Sequence, residues 1–177
     1  MMYEPKTIYS KLALETILTS VKKRNLKLFR QQKIPELLSK KQACFVSIHK
    51  KDGSLRGCIG TIEPVRTCLF HEIIDNAIAA SSRDSRFSPI TADELDSIEV
   101  SVDVLSIPEI VNDISELDPQ NFGVIVSDNS YRKAVLLPNL EGIETVKYQL
   151  DIVKRKAGIY DNYENLNIQK FTATRYH

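Results

Sequence analysis

The chain has 177 residues, 42% of them hydrophobic and 27% charged, with a formal net charge of +1. That is the length of one ordinary domain with a real core, and the balance argues against disorder, a fibrous repeat or a membrane protein. Near-neutral charge and 7% aromatic residues also give no footprint for nucleic acid or anionic lipid.

Residues 6–29 form the first periodic segment, a helix beginning near Pro5 and ending with Phe29. Ile8, Leu12, Leu14, Ile17, Leu18 and Val21 fall on one stripe, which makes it a packing helix. From Ala43 the period becomes two. Cys44, Val46 and Ile48 alternate with Phe45, Ser47 and His49, a strand; Lys51-Asp52-Gly53 is a turn, and a second strand from Ser54 to Ile62 completes an antiparallel hairpin. Glu63-Pro64 ends it. A helix over 65–82 follows, with Leu69, Ile73, Ala77 and Ala80 along one face.

Residues 83–89 form a polar connection, and Thr91-Ala92-Asp93-Glu94 has the form of a capping box. Ile98, Val100, Val102 and Val104 mark an amphipathic strand. Phe122–Ser127 and Tyr131–Leu137 read as two strands around a turn at Asp128-Asn129-Ser130. Ile143, Val146, Leu150 and Val153 mark a last helix that Gly158 can cap, and Ile168–Thr174 closes the chain as one strand. The pattern favours an α+β fold with antiparallel or mixed sheets, in one domain over 1–177. It carries a two-fold echo: hairpin, helix, strand in each half. Lys22-Lys23-Arg24 and Lys154-Arg155-Lys156 fit solvated last turns of helices, without interleaved aromatics.

Three cysteines, Cys44, Cys58 and Cys68, form no C-x-x-C pair, so neither a disulfide framework nor a metal site is expected. Nothing calls for a cofactor. With no signal peptide or apolar span visible, a reducing cytoplasm is the expected compartment.

The stretch Leu55-Arg56-Gly57-Cys58-Ile59-Gly60-Thr61 concentrates the unusual features. Strand alternation puts Arg56 and Cys58 on one face, and an arginine two residues from a thiol favours the thiolate. Gly57 and Gly60 inside a strand mark the close approach of a backbone or ligand. The bland alternative is a packed cysteine. Cys44 and Cys68 fit the core. His49, His71 and His177 have no evident claim as the base that would activate a thiol.

This stretch, with Glu63-Pro64, resembles the signature of the AMMECR (AMME chromosomal region) family, called AmmeMemoRadiSam system protein A in prokaryotes. Asn76–Ala80 with Arg83-Asp84, Arg86-Phe87 and Pro89 is similar to the family's next block. Glu94-Leu95, Val100-Ser101-Val102, Pro108-Glu109, Gly123–Val126, Leu136–Pro138 and Lys156-Ala157-Gly158 extend the resemblance over about residues 7 to 175. Two departures stand out: Phe122-Gly123 where members resemble H-G, and Ala134–Asn139 where they resemble G-L-L-L-P-Q. The resemblance implies two β-β-β-α-α-β-like repeats in a larger and a smaller subdomain, with the Leu-Arg-Gly-Cys-Ile-Gly segment lining a cleft. It also implies Memo-like and radical S-adenosylmethionine proteins as partners.

Three functions follow as expectations. The favoured one is binding of a small anionic or nucleotide-like ligand by Arg56, Gly57, Gly60, Arg83, Asp84 and Arg86, whose guanidinium forks suit phosphate or carboxylate. The second is an enzyme with Cys58 as nucleophilic or redox thiol and Glu63 as acid/base. The third is a protein- or RNA-binding scaffold, with nucleic acid disfavoured by charge. Arg83, Asp84 and Arg86 have an equally concrete structural use, pairing to hold their loop against the sheet.

Overall fold

The Thr7 side chain accepts from the Ser10 backbone and Ser10 returns the bond, a capping box that starts α1, Ile8–Val21. The helix starts on this cap, two residues beyond Pro5, and ends well short of Phe29. Lys22 caps it and Lys23 takes a positive φ of 51°, so the first basic cluster lies past the last turn. The computed structural model describes residues 3–26, 33–128, 131–160 and 165–177; residues 27–29 and Asn129-Ser130, part of the helix and turn read above, lie outside these.

The chain divides into two compact units, the larger made of Met1–Val104 with Thr174–His177 and the smaller of Leu105–Ala173. In the larger, a short helix α2 (Pro35–Leu38) precedes the hairpin of β1 (Cys44–Lys50) and β2 (Leu55–Gly60), whose turn uses Gly53 at φ 83°. Helix α3 (Leu69–Ser82) and strand β3 (Ile98–Leu105) follow. The helix expected from Val65 starts four residues later. The reason is Glu72 in its first turn, which accepts from Arg66 N–H (2.7 Å) and Thr61 Oγ1 (2.6 Å) and holds residues 61–66 off the helix axis. The Thr91–Glu94 capping box is present and starts a 3₁₀ turn, Ala92–Ser97.

In the smaller unit β4 (Glu109–Ile110) and a 3₁₀ turn (Ile114–Glu116) lead to the hairpin of β5 (Gly123–Ser127) and β6 (Lys133–Leu136). Then come α4 (Val146–Ala157) and β7 (Asn167–Phe171). Thr145 caps α4, which leaves Ile143 outside the helix, and Gly158 ends it at φ 68° with the second basic cluster in its last turn. The single closing strand of the sequence reading is two. Thr172 exchanges bonds with Ser106, its C=O accepting from Ser106 N–H (2.9 Å) and its N–H donating to Ser106 Oγ (3.0 Å). This breaks the ladder, and β8 (Ala173–Tyr176) joins the other sheet.

The sheet orders are β2-β1-β3-β8 and β4-β7-β5-β6. Read from the hairpin edge, both are second hairpin strand, first hairpin strand, the strand after the helix, then a fourth. The echo is therefore a repeated β-β-α-β unit. Leu12, Ala13 and Ile17 of α1 and Phe70, Ile73, Ile74 and Ala77 of α3 cover Val46, Ile48, Val100 and Val102 of the first sheet. Leu150 and Val153 of α4 cover Val124, Val126, Leu136 and Ile168 of the second. No helix among the described residues is long and apolar enough to cross a membrane.

Candidate functional site

The β1–β2 register pairs Ile48 with Gly57, Ser47 with Cys58 and Phe45 with Gly60. Gly57 faces α3. A Cβ there would sit 2.3 Å from the Ala80 carbonyl oxygen, so the helix backbone itself requires glycine. A Cβ on Gly60 would meet the Phe45 ring at 2.2 Å and the Cys44 carbonyl oxygen at 2.7 Å. Protein atoms, then, fill the space that both glycines leave.

Arg56 is buried. Its Nε and Nη2 donate to Glu94 Oε1 and Oε2 (2.7 and 3.0 Å) and its Nη1 donates to the Ser88 carbonyl (3.0 Å). The fork clips β2 to the 3₁₀ turn after the 83–89 loop, and it pulls the Glu94 carboxyl down to about 2. Asp84 is also buried and accepts four bonds: from Cys58 N–H (2.8 Å), and from Arg86 N–H (3.1 Å), Nε (3.0 Å) and Nη2 (2.7 Å). The Arg86 guanidinium, aided by these backbone donors, holds Asp84 far below the ordinary carboxylate range. The Arg83 side chain is exposed at the cap of α3, and Glu63 is exposed beyond the end of β2. Thus Arg56, Cys58, Asp84 and Arg86 come together, while Arg83 and Glu63 stand outside the cluster.

Beside the clip lies an open hollow of about 540 Å³ lined by Lys50, Leu55, Arg56, Arg86, Phe87, Ser88, Thr91 and Glu94. Arg86 enters it with a side chain 55% exposed, held in place by Asp84 and lying over the Phe87 ring. Lys50, at the exposed end of β1, adds a second cation. Lys50 was no sequence candidate, because only the turn at 51–53 brings it beside the 86–94 segment.

The face of the first sheet turned away from α1 and α3 is polar. Ser47 Oγ donates to Cys58 Sγ (3.3 Å), and Ser101 lies opposite Ser47 in the β1–β3 register. Ser101 Oγ is buried with no hydrogen-bond partner among the described residues, an arrangement that costs about 1–3 kcal/mol. Two residues on, the buried Asp103 receives Arg175 Nε (2.8 Å) and Nη2 (3.0 Å). Burial, then the Arg175 charge, lower the His49 imidazole.

The other thiols sit elsewhere. Burial pushes Cys44 up to about 12. Cys68 caps α3 and approaches His71 Nδ1 (3.5 Å), a pairing that the i, i+3 spacing could have suggested. Among the described residues no group of three His, Cys, Asp or Glu side chains could hold a metal ion. In the smaller unit a hollow of about 370 Å³ brings Tyr148 and Tyr160 beside Lys154 and Arg155. The second basic cluster, in the last turn as its spacing implies, therefore has aromatic neighbours in space though none interleaved in sequence, because the left-handed turn at Gly158 brings Tyr160 back toward the helix.

A profile of the AMMECR1 family matches residues 10–176. The chain belongs to the AMMECR1 family. A Thermotoga maritima protein is 53% identical over 146 residues, covering 82% of this chain and 83% of that protein. One from Clostridium acetobutylicum is 50% identical over 80% of this chain, which spans only 29% of that relative. An uncharacterised Arabidopsis thaliana protein is 34% identical over 69% of this chain and 59% of its own length. Among solved structures, an uncharacterised Pyrococcus horikoshii protein matches this AMMECR1-family chain with a TM-score of 0.80 and 26% identity, covering 94% of this chain and 88% of that one.

Proposed function

We propose that this AMMECR1-family protein binds a small anionic, nucleotide-like ligand in the hollow lined by Lys50 and Arg86. The observation that carries the reading is Arg86. Its Nε and Nη2 are spent on Asp84, yet the side chain is more than half exposed and fixed at the wall of the hollow. A pre-positioned guanidinium loses little freedom when an anion docks. Ser88 and Thr91 add polar groups at the wall, and the Phe87 ring an apolar surface. Arg56 serves this reading from behind, as the clip that holds the wall to β2.

Calorimetric titration with AMP, inorganic phosphate and adenosine tests it. AMP is expected to bind measurably, phosphate more weakly and uncharged adenosine least. Lys50→Glu reverses a charge without touching the Asp84 cluster and should weaken AMP roughly tenfold, as reversing one charge a few ångströms away in a solvated site implies. Equal affinity for AMP and adenosine, or no effect of Lys50→Glu, would sink the proposal. A second reading, a scaffold for RNA or a protein partner, is favoured by Tyr148 and Tyr160 flanking Lys154 and Arg155 in the smaller unit, since stacking beside cations is how single strands are held.

A further inference from the structure

The polar sheet face of the larger unit carries a group of side chains of which the hollow uses only Arg86. Cys58 is partly exposed, and its sulfur accepts from Ser47 Oγ. On one side stands Arg86, whose Nη2 lies 3.4 Å from the Cys58 carbonyl oxygen. On the other, across β1 and β3, stands Arg175 of β8, bonded to Asp103. The two arginines are built alike. Each is anchored through Nε and Nη2 by its own buried carboxylate, Asp84 for Arg86 and Asp103 for Arg175, and each keeps about half its side chain exposed (55% and 48%). Both lie within electrostatic reach of the Cys58 sulfur.

The second, independent feature is Ser101. Its hydroxyl is on the same face, next to Ser47 in the strand register, nine-tenths buried or more and without a partner among the described residues. Cys58, Ser47 and Ser101 therefore make a row across three neighbouring strands, sulfur at one end and an uncommitted hydroxyl at the other. A packed cysteine needs neither anchored cations on two sides nor an unpartnered hydroxyl along the row.

We propose that Cys58, flanked by Arg86 and Arg175 and faced by Ser101, is a thiol site for small electrophiles that carry a carboxylate or phosphate. The arginines hold the anionic end, Ser101 donates to it, and Ser47 O–H donates to the sulfur. In the reaction the Sγ–carbon bond forms as the bond from that carbon to its leaving group breaks. The leaving group takes the electron pair, and the thiol proton passes to solvent. The site shares Arg86 with the hollow but does not rest on the hollow binding a nucleotide.

The test compares alkylation of Cys58 by iodoacetate and iodoacetamide at one pH and low salt, with the modified residue identified by peptide mass. Iodide is the leaving group in both, and only one reagent is an anion. The rate ratio of iodoacetate to iodoacetamide should be about tenfold higher in the full folded chain than in the same chain unfolded in urea. Arg175→Lys retains a charge and should keep much of the preference, whereas Arg175→Gln should remove most of it. Ser101→Ala removes a hydroxyl with no partner among the described residues and so should leave the fold intact; it should slow iodoacetate several-fold and leave iodoacetamide unchanged. Lys50→Glu, which tests the hollow, should leave the ratio within about twofold, so the two readings fail separately. A ratio equal in folded and unfolded chain, or a Cys58 inert to both reagents until unfolding, overturns the proposal. A Ser101→Ala chain that behaves as wild type overturns it as well.

Discussion

Replacing Arg56 with methionine keeps the aliphatic stem and deletes the fork. The loss is two charge-assisted bonds to Glu94, at 2.7 and 3.0 Å, and one bond to the Ser88 carbonyl at 3.0 Å. Breaking a fully buried pair costs about 3–5 kcal/mol. Glu94 is 28% exposed and keeps its bonds from Thr91 N–H and Oγ1, which lowers the expected loss to about 2–3 kcal/mol. With a urea slope of about 1–3 kcal/mol per molar, the midpoint of the transition carrying the larger unit should fall by about 1 M. Glu94→Gln and the double mutant complete a cycle whose coupling should exceed about 1 kcal/mol. An Arg56→Met chain within about 0.5 kcal/mol of wild type, with the two changes additive, would refute the clip.

The same pair sets an acid limit. Glu94 is lowered from an ordinary 4.5 to about 2, so its contribution is complete above 4.5 and is lost as pH falls toward 2; Asp84 is depressed too and loses its contribution as pH falls below 3.8. Urea titrations at pH 7, 4.5 and 3 should show wild-type stability dropping over the lower interval, with a smaller drop in Glu94→Gln. Gly57→Ala drives a Cβ to 2.3 Å from the Ala80 carbonyl oxygen and should cost about 3 kcal/mol or more, because a helix backbone must move. By contrast Gly53→Ala, with no atom within 4 Å but φ at 83°, should cost about 1 kcal/mol in the same denaturation assay. Cys44, pushed up to about 12 by burial, should resist alkylation at pH 9 until the protein unfolds.

Periodicity was enough for the strands and helices that bury one face. Val46 and Ile48, Val100 and Val102, and the Leu69–Ala80 stripe all lie against the core that their spacing implied. The repeat was legible for the same reason, since hairpin, helix and strand are local patterns. What sequence spacing does not carry is long-range exchange. Thr172 meets Ser106 across 66 residues and splits one expected strand between two sheets. Glu72 reaches back to Arg66 and delays a helix whose hydrophobic stripe gave no sign of it.

The site shows the same limit. Arg56 stands out between glycines, and Asp84 and Arg86 in the polar connection that resembles the family's next block, but a charge in a sequence does not say whether its partner is a ligand or the chain. Arg56 and Asp84 find protein partners, at Glu94 and at Cys58 N–H, and Arg86 turns half outward. Lys50, Ser101 and Arg175 are not site candidates by sequence, because their meaning comes from the 51–53 turn and from strand register. One signal was available for Ser101 and Asp103: polar residues alternating with valines on a strand sit together on its other face.

Amide chemical shifts of the 15N-labelled protein, titrated with AMP, test the central claim most directly. Saturable changes at Leu55, Arg86, Ser88 and Thr91, much reduced in Lys50→Glu, are the predicted result. Saturable changes elsewhere, around Tyr148 and Tyr160 for instance, or none at millimolar AMP, would contradict it.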